Sequence, residues 1–416
     1  MDENDSSIYS VSGSENVTEA ECFWFNDTTD ENLTALARNY IYSDLDAVFH
    51  IVVLPVILLI GIITNCAFLF VVYRIPSMRT VVNQYLTHIA IGDLLFLITA
   101  IGKKILKFSS SKNKFDSGAF WGHWIEVCCH TVNYTTIFAS VLIMTLVGFE
   151  RFYAVCRPMR IYAATTNQRM VKILLSIVWT LSAALALTTI PAIIQVRVYC
   201  VYWPTTPEFE GLDEKFATYF SYSNAALAYT SLVQTVPFFV VMGINSVLYA
   251  KMISTMSWRL GTMQAHDLDT HNNVELRNKV AIMLIINGVT FFTLTFPFQF
   301  VSFINGILTL CNETQLLGAK CKTFFQILLY CNSLINPIIY NAANSRYRSA
   351  FKTAFGIDKF DCIGYGCTIG SRQYNAPLNN GNVKESPTKN TITTTYSNNY
   401  TTNANGDILL ESDTKC

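Results

Sequence analysis

Cys128 to Pro158 reads CCHTVNYTTIFASVLIMTLVGFERFYAVCRP, a predominantly apolar run that stops at an acid–base pair, Glu150-Arg151. An α-helix needs about 20 residues to cross the hydrocarbon core of a bilayer, and this run supplies them. Taken alone, the stretch is a membrane helix that ends at the water on a basic anchor. Its neighbours decide what it belongs to.

Of the 416 residues, 51% are hydrophobic and 14% are charged, well below the roughly one-quarter charged of soluble domains. Formal net charge is zero, which points away from a nucleic-acid surface. The charge is unevenly placed. Residues 1–46 are acidic with Arg38 as their one basic residue, whereas Arg and Lys cluster after Arg151, between the fifth and sixth apolar runs, and after the seventh. That asymmetry is the one the positive-inside rule describes. The first forty residues lack the basic and apolar regions of a signal peptide, so the first membrane helix is expected to translocate the acidic start.

Segment one runs from Ala47 to about Tyr73, with Pro55 as a kink and Asn65 as its strongly polar interior residue. Segment two, Tyr85 to about Ile101, carries Asp93 in its middle and is followed by Lys103, Lys104, Lys107, Lys112 and Lys114 on the outer side. Segment three is the stretch quoted above. Segment four spans Val171 to about Gln195, with Trp179 inside and Pro191 near its outer end. Gln195 to Trp203 alternates and is rich in β-branched and aromatic residues, so it reads as a short extracellular strand. Segment five covers roughly Tyr222 to Met252 around Pro237, and the polar stretch Trp258 to Glu275 reads as an inner loop. Segment six covers Arg277 to about Leu310 around Pro297, and segment seven about Thr323 to Tyr340. In the following SRYRSAFKTAFG, Tyr347, Phe351 and Phe355 share one face and Arg346, Arg348 and Lys352 the other, the pattern of a helix lying on a membrane surface.

The reading is an all-α membrane protein: a seven-transmembrane helix bundle with a short amphipathic eighth helix. Residues 1–46 are an extracellular glycosylated tail, expected to be poorly ordered. The membrane domain is 47–343, the surface helix 344–356, and 357–416 a disordered cytoplasmic tail rich in Asn, Thr and Ser. Sequons at Asn4, Asn16, Asn26, Asn32 and Asn312 agree on which side is outside, while those at Asn133 and Asn399 fall in the membrane or on the inner side and read as chance matches. Among the 12 cysteines, Cys22, Cys128, Cys129, Cys200, Cys311 and Cys321 lie on the outer side. Cys66, Cys156 and Cys331 read as packing residues or inner-end thiols, and Cys362 and Cys367 as acylation sites. Ser386, Thr388 and Thr393 to Thr395 are phosphorylation candidates, or a plain solvated tail.

A charge at mid-membrane costs at least ~2.5–3.5 kcal/mol, which makes Asp93 informative. Asn65, Ser140, Asn332, Ser333 and Asn336 are placed to converge on it from neighbouring segments. An oxygen-rich cluster around one carboxylate suits a small hard cation such as sodium, or else a water network or a hydrogen-bonded acid without an ion. Segment seven ends Asn336-Pro337-Ile338-Ile339-Tyr340, where proline frees a backbone carbonyl and lets the helix deform.

With Asn65, Asp93, Glu150-Arg151-Phe152, Trp179, Pro237, Pro297 and this NPxxY element each in its own segment, residues 45–356 resemble the rhodopsin-like (class A) G-protein-coupled receptors. The look is that of the peptide-receptor branch, near FMRFamide and thyrotropin-releasing-hormone receptors. The resemblance implies a plasma-membrane receptor, N-terminus outside, rather than an enzyme. Its implied partners are an extracellular peptide, a heterotrimeric G protein, arrestin and membrane lipid, with no cofactor apart from an allosteric sodium at Asp93. Glu150, Arg151, Phe152, Pro158, Met159 and Tyr340 would serve G-protein coupling. Cys128, with Cys129 as competitor, would bridge to Cys200, although Cys128 sits two residues closer to Arg151 than the family spacing. The pairing of Cys22, Cys311 and Cys321 stays open. Thr295 stands where the family has tryptophan, so Phe291 or Phe296 would transmit motion; Asn245 replaces a tyrosine, and Arg277 an acidic partner for the arginine.

The pocket candidates are Lys103, Lys104, His130, Asn133, Tyr134, Tyr229, Phe298, Gln299, Ser302, Lys322, Gln326 and Tyr330. Asn133 stands where amine receptors carry Asp, and Tyr330 where opsins carry the retinal lysine, so neither ligand fits. A receptor for a lipid or small non-amine molecule is the alternative. A transporter would show repeated halves, and an intramembrane enzyme a paired acid, HExxH or GxSxG; the sequence has none of these.

Overall fold

A computed structural model describes residues 21–24, 31–116, 123–157, 168–262, 268–313 and 319–357. Seven long helices carry the architecture: α3 (Leu54–Arg74), α4 (Val81–Ser110), α5 (His123–Cys156), α6 (Gln168–Leu187), α7 (Asn224–Thr262), α8 (Leu268–Leu310) and α9 (Ala319–Ala343). Ahead of them come α1 (Glu31–Arg38) and α2 (Asp44–Val48), and behind them α10 (Ser345–Phe355). Neighbouring contacts run α3–α4–α5–α7–α8–α9 and back to α3, closing a ring, with α6 packed outside against α5 and α4.

Local signals set the helix ends. Ser43 and Asp46 form a capping box ahead of α2, and the Thr80 hydroxyl accepts from the Asn83 amide at the start of α4. Asn344 caps α10 by accepting from the Arg346 amide at 2.9 Å, and Gly356, at φ 70°, closes it in the left-handed conformation that glycine adopts without steric cost. Several helices outrun the sequence expectation. Lys103, Lys104 and Lys107 ride on the last turns of α4. The polar stretch Trp258 to Glu275 continues α7 and α8 on either side of residues 263–267, since no proline breaks it.

Five helical segments are long and apolar enough to span a bilayer: Asp44–Arg74, Trp124–Cys156, Gln168–Ala192, Asn224–Trp258 and Asn278–Leu310. The other two members of the ring, α4 and α9, hold the buried polar residues Asp93, Asn332, Ser333 and Asn336 and are shielded by their neighbours. Two apolar cores lie along the bundle. One packs Phe68, Met144, Phe238, Met283, Tyr340 and Tyr347; the other packs Leu54, Phe96, Leu97, Ile101, Leu329 and Tyr330. The outer faces present exposed Ile51, Leu59 and Ile63 on the first span, side chains that belong in lipid rather than water.

A third apolar cluster sits outside the bundle. Strand β2 (Gln195–Tyr202) pairs antiparallel with β3 (Lys215–Phe220) and parallel with β1 (Glu21–Trp24). The strand expected over Gln195–Trp203 is thus present, and it gains a partner from the N-terminal tail. Ala37, Tyr199, Val201, Phe209 and Phe216 are buried together, with Tyr40, Ile41 and Trp203 against them. The expectation of a poorly ordered start does not hold over 31–46, because these apolar residues give the segment something to bury. Backbone bonds from Lys114 to Tyr40 (2.7 Å) and from Tyr42 to Lys112 (3.1 Å) tie it to the end of α4.

At the crossing of α7 and α8, Gly288 leaves room for the Tyr249 ring: a Cβ there would lie 2.0 Å from the phenol oxygen and 2.7 Å from its ring carbon. Tyr249 is buried, so the ring cannot swing aside freely. Gly288→Ala is expected to destabilise the bundle by about 1–3 kcal/mol, the usual range for overpacking; thermal unfolding of detergent-solubilised protein measures it.

Candidate functional site

At the foot of α5 the Arg151 guanidinium donates through Nε and Nη2 to both carboxylate oxygens of Glu150. Both side chains are mostly buried, at 15% and 12% exposure, so the bidentate pair is shielded from solvent. Phe152 packs beside it at the edge of the core. Tyr340 is fully buried, its ring 5.3 Å from Phe68 and 5.8 Å from Tyr347, and its hydroxyl faces the Asn287 side chain of α8. Tyr347 of α10 bonds to Asn83 of α4, which seats the amphipathic helix under the bundle. Pro158 and Met159 lie outside the described residues.

Midway along the bundle, Asn336 donates to Asp93 at 2.8 Å, joining α9 to α4. Asn65 does not reach Asp93. Its amide donates to the carbonyls of Gly61 and Ser333, both at 2.9 Å, so it clamps α3 to α9 instead. A cavity of about 30 Å³ adjoins the carboxylate, lined by Ser140, Asn332, Ser333 and also Phe291, Thr295 and Gln299. Asn332 Oδ1, Asn336 Oδ1, Thr295 Oγ1 and both amide atoms of Gln299 are buried with no hydrogen-bond partner in the protein. A carboxylate surrounded by neutral oxygens in a space of one water molecule fits a small hard cation.

Thr295 and Gln299 are members of this cluster that the sequence reading did not assign to it. The sequence expectation for Gln299 is the ligand pocket, and the structure sets it at the Asp93 cavity. Both stand one helical turn apart on α8, and that i, i+4 spacing of two polar residues in an apolar run was the available signal. Of the two aromatic candidates, Phe291 lines the cavity, whereas Phe296 is exposed and stacks on Phe300 at 5.7 Å.

At the outer end, Lys103 pairs with Glu126 across α4 and α5. Lys104 donates to Gln326 at 2.6 Å and lies 5.8 Å above the Tyr330 ring, which in turn packs on Phe96. Asn133 accepts from Thr99. His130 stacks on Tyr134 at 4.4 Å and meets the Thr189 hydroxyl at 2.9 Å, while Phe298 packs against the outer core. Ser302 is half-buried. Tyr229 is exposed and bonds to Thr188 at 3.0 Å, on the α6 side. The Lys322 side chain lies outside the described residues. Above this region, burial first and then Asp46 and Asp116 push the Tyr42 phenol up to about 12.

Residues 64–340 match the 7 transmembrane receptor (rhodopsin family). The chain belongs to that family. Among its relatives are the Bos taurus thyrotropin-releasing hormone receptor, 26% identical over 365 residues that cover 79% of this chain and 83% of the relative. The Rattus norvegicus somatostatin receptor type 5 is 24% identical, covering 75% and 82%. The Mus musculus neuromedin-U receptor 2 is 26% identical, covering 72% and 73%.

Within this rhodopsin-family receptor the expected Cys128–Cys200 bridge is corrected. Cys128 and Cys129 are free thiols, whereas Cys200 is disulfide-bonded. A shift of two residues turns a helical side chain by about 200°, which moves Cys128 off the face the family uses and leaves it exposed. Glu126 stands at the family spacing instead and carries the ion pair to Lys103. Asn245, at the family's tyrosine position, is buried and donates to Thr145 of α5 at 3.2 Å.

Asn312 is exposed at the end of α8 and accepts from Asn224; the Asn32 side chain and Asn4, Asn16, Asn26, Cys362 and Cys367 lie outside the described residues. Replacing Asn336 by leucine removes the donor to the buried carboxylate. Asn336→Leu is expected to cost about 1–3 kcal/mol or more, read as a lowered melting temperature of purified receptor.

Proposed function

We propose that this receptor sits in the plasma membrane with its N-terminus outside, binds a neuropeptide and activates a heterotrimeric G protein. The observation that carries the reading is the closed Glu150–Arg151 pair at the foot of a seven-helix bundle, in a chain similar to receptors for thyrotropin-releasing hormone, somatostatin and neuromedin U. The β-hairpin after α6 and the mixed lysine, amide and aromatic side chains at the same end of the bundle suit a peptide, whose backbone and side chains need both hydrogen bonds and apolar walls.

The agonist acts by population shift: it binds more tightly to the arrangement in which the inner end of α8 has moved outward. Pro297 inside α8 and Pro337 inside α9 supply the backbone positions where a helix bends without losing an additional donor. Opening the inner end frees Arg151 from Glu150 for the incoming G protein. Asp93, Ser140, Asn332 and Ser333 would hold a sodium ion, which stabilises the closed arrangement by its charge against the carboxylate. Arrestin recruitment by the Ser/Thr-rich tail and lipid anchoring through Cys362 and Cys367 complete the proposal.

The test is calcium release in cells co-expressing the receptor and a promiscuous Gα subunit, challenged with a library of short amidated peptides. A nanomolar response to one peptide family is expected, and Arg151→Ala at equal surface expression is expected to abolish most of it. A response from lipids and none from peptides would replace the ligand class; a full response from Arg151→Ala would remove the arginine from the mechanism. With the agonist in hand, raising sodium should weaken its affinity in wild type and leave Asp93→Asn unaffected. Equal salt dependence in both would dismiss the ion site.

A further inference from the structure

Cys200 lies in the middle of the extracellular sheet and is disulfide-bonded. Its partner is none of the described thiols: Cys66, Cys128, Cys129, Cys156, Cys311 and Cys331 are all free. Of the remaining cysteines, Cys362, Cys367 and Cys416 follow α10 in the sequence and lie outside the described residues, and Cys321 belongs to the first turn of α9. Cys22 belongs to β1, and the parallel register of β1 on β2 sets Cys22 directly opposite Cys200. Paired strands run about 4.8 Å apart, and disulfides bridge Cα separations of about 4.4–6.8 Å.

We propose that a Cys22–Cys200 disulfide staples the N-terminal tail to the second outer loop, in place of a tether from that loop to α5. The place where such a tether would leave α5 is taken by Glu126, engaged with Lys103. The tail is in turn fastened elsewhere. Ala37, Tyr40 and Ile41 enter the apolar cluster beneath the hairpin, Arg38 pairs with Glu208 at 2.8 Å, Ile41 bridges Asn113, and Lys114 pairs with Asp46 at 3.0 Å. Through these contacts the loop is tied to the segment that follows α4. The tail is therefore a structural part of this end of the bundle rather than an appendage of it. The bond forms by thiol–disulfide exchange in the oxidising secretory compartment. Each cysteine gives up its proton, the pair gives two electrons to a donor disulfide, and the donor leaves as two thiols.

The test needs no agonist. A protease site is inserted between Trp24 and Glu31 in the full-length receptor carrying an N-terminal epitope tag, and intact cells are cleaved. The tagged fragment is expected to stay with the receptor on non-reducing gels and to leave on addition of dithiothreitol. Cys22→Ser and Cys200→Ser are expected to release it without reductant; Cys128→Ser and Cys129→Ser are expected to retain it. Release from the wild type without reductant, or loss of retention in Cys128→Ser, would overturn the proposal. Should the Cys22 or Cys200 variants fail to reach the surface, non-reducing peptide mapping of the wild type decides. A peptide joining Cys22 to Cys200 supports the bridge, and one joining Cys200 to any other cysteine refutes it.

Discussion

A carboxylate can persist in the middle of a bilayer only where protein groups take over the work of water, and Asp93 imposes that condition on the bundle. Its cost, at least ~2.5–3.5 kcal/mol, is offset by the bond from Asn336. For that bond to form, α9 must approach α4 at one height, and Asn65 secures the same height from α3 through the Ser333 carbonyl. The polar cluster therefore sets the register of three helices at once. It also explains why α4 and α9 are absent from the strongly apolar spans. They are held in the membrane by the ring around them, with the apolar core of Phe68, Met144 and Phe238 on one side and that of Phe96, Leu97 and Tyr330 on the other.

The same cluster gives α8 something to exchange. Thr295 and Gln299 bring buried polar atoms from α8 to the Asp93 cavity, and these atoms have no partner in the protein. Asn287, two turns below Thr295, is buried as well and faces the fully buried Tyr340 hydroxyl on α9. Unsatisfied buried groups each carry a desolvation penalty of about 1–3 kcal/mol, so an arrangement of α8 and α9 that pairs them gains what the closed one forgoes. The closed state is balanced by the tight notch of Gly288 around Tyr249, which locks α8 against α7. Polar atoms on one side and a steric notch on the other thus meet on α8, with Thr295 at the position where the family has a large aromatic.

Much of this was legible in the sequence. The apolar runs, Asp93, the Glu150-Arg151 pair and Asn336-Pro337 each carry a strong local physical signal: membrane length, an expensive charge, a chain-bending proline. The alternation of Gln195 to Trp203 announced β2. The errors share a cause. A fall in hydropathy does not mark a helix end: Lys103, Lys104 and Lys107 continue α4 beyond its apolar run. Asn65 was sent to the wrong partner because several polar residues at one depth have many pairings, and only packing selects among them. The ordered tail was missed because its apolar residues, Ala37, Tyr40 and Ile41, are few and acquire a core only when Tyr199 and Phe216 arrive from far along the chain.

The cysteine error is different, since the sequence held its correction. Counting from Arg151, the position that should carry the bridging cysteine is Glu126, and a helix does not forgive a displacement of two residues: the side chain emerges from the opposite face. Cys128 accordingly stands exposed, while Glu126 turns inward to Lys103 with a side chain only 13% exposed. Once a carboxylate occupies that face, a second polar demand follows, because a mostly buried charge must be paired. The lysines at the end of α4, which ran against the charge bias expected of an outer loop, then have a reason to be there. Lys103 neutralises Glu126, Lys104 spans to Gln326 on α9, and Lys114 holds Asp46 of the incoming tail. Loss of one covalent tether thus accounts together for the basic cluster, the ion pair and the ordered N-terminal strand, because a loop freed from α5 must be positioned by something else.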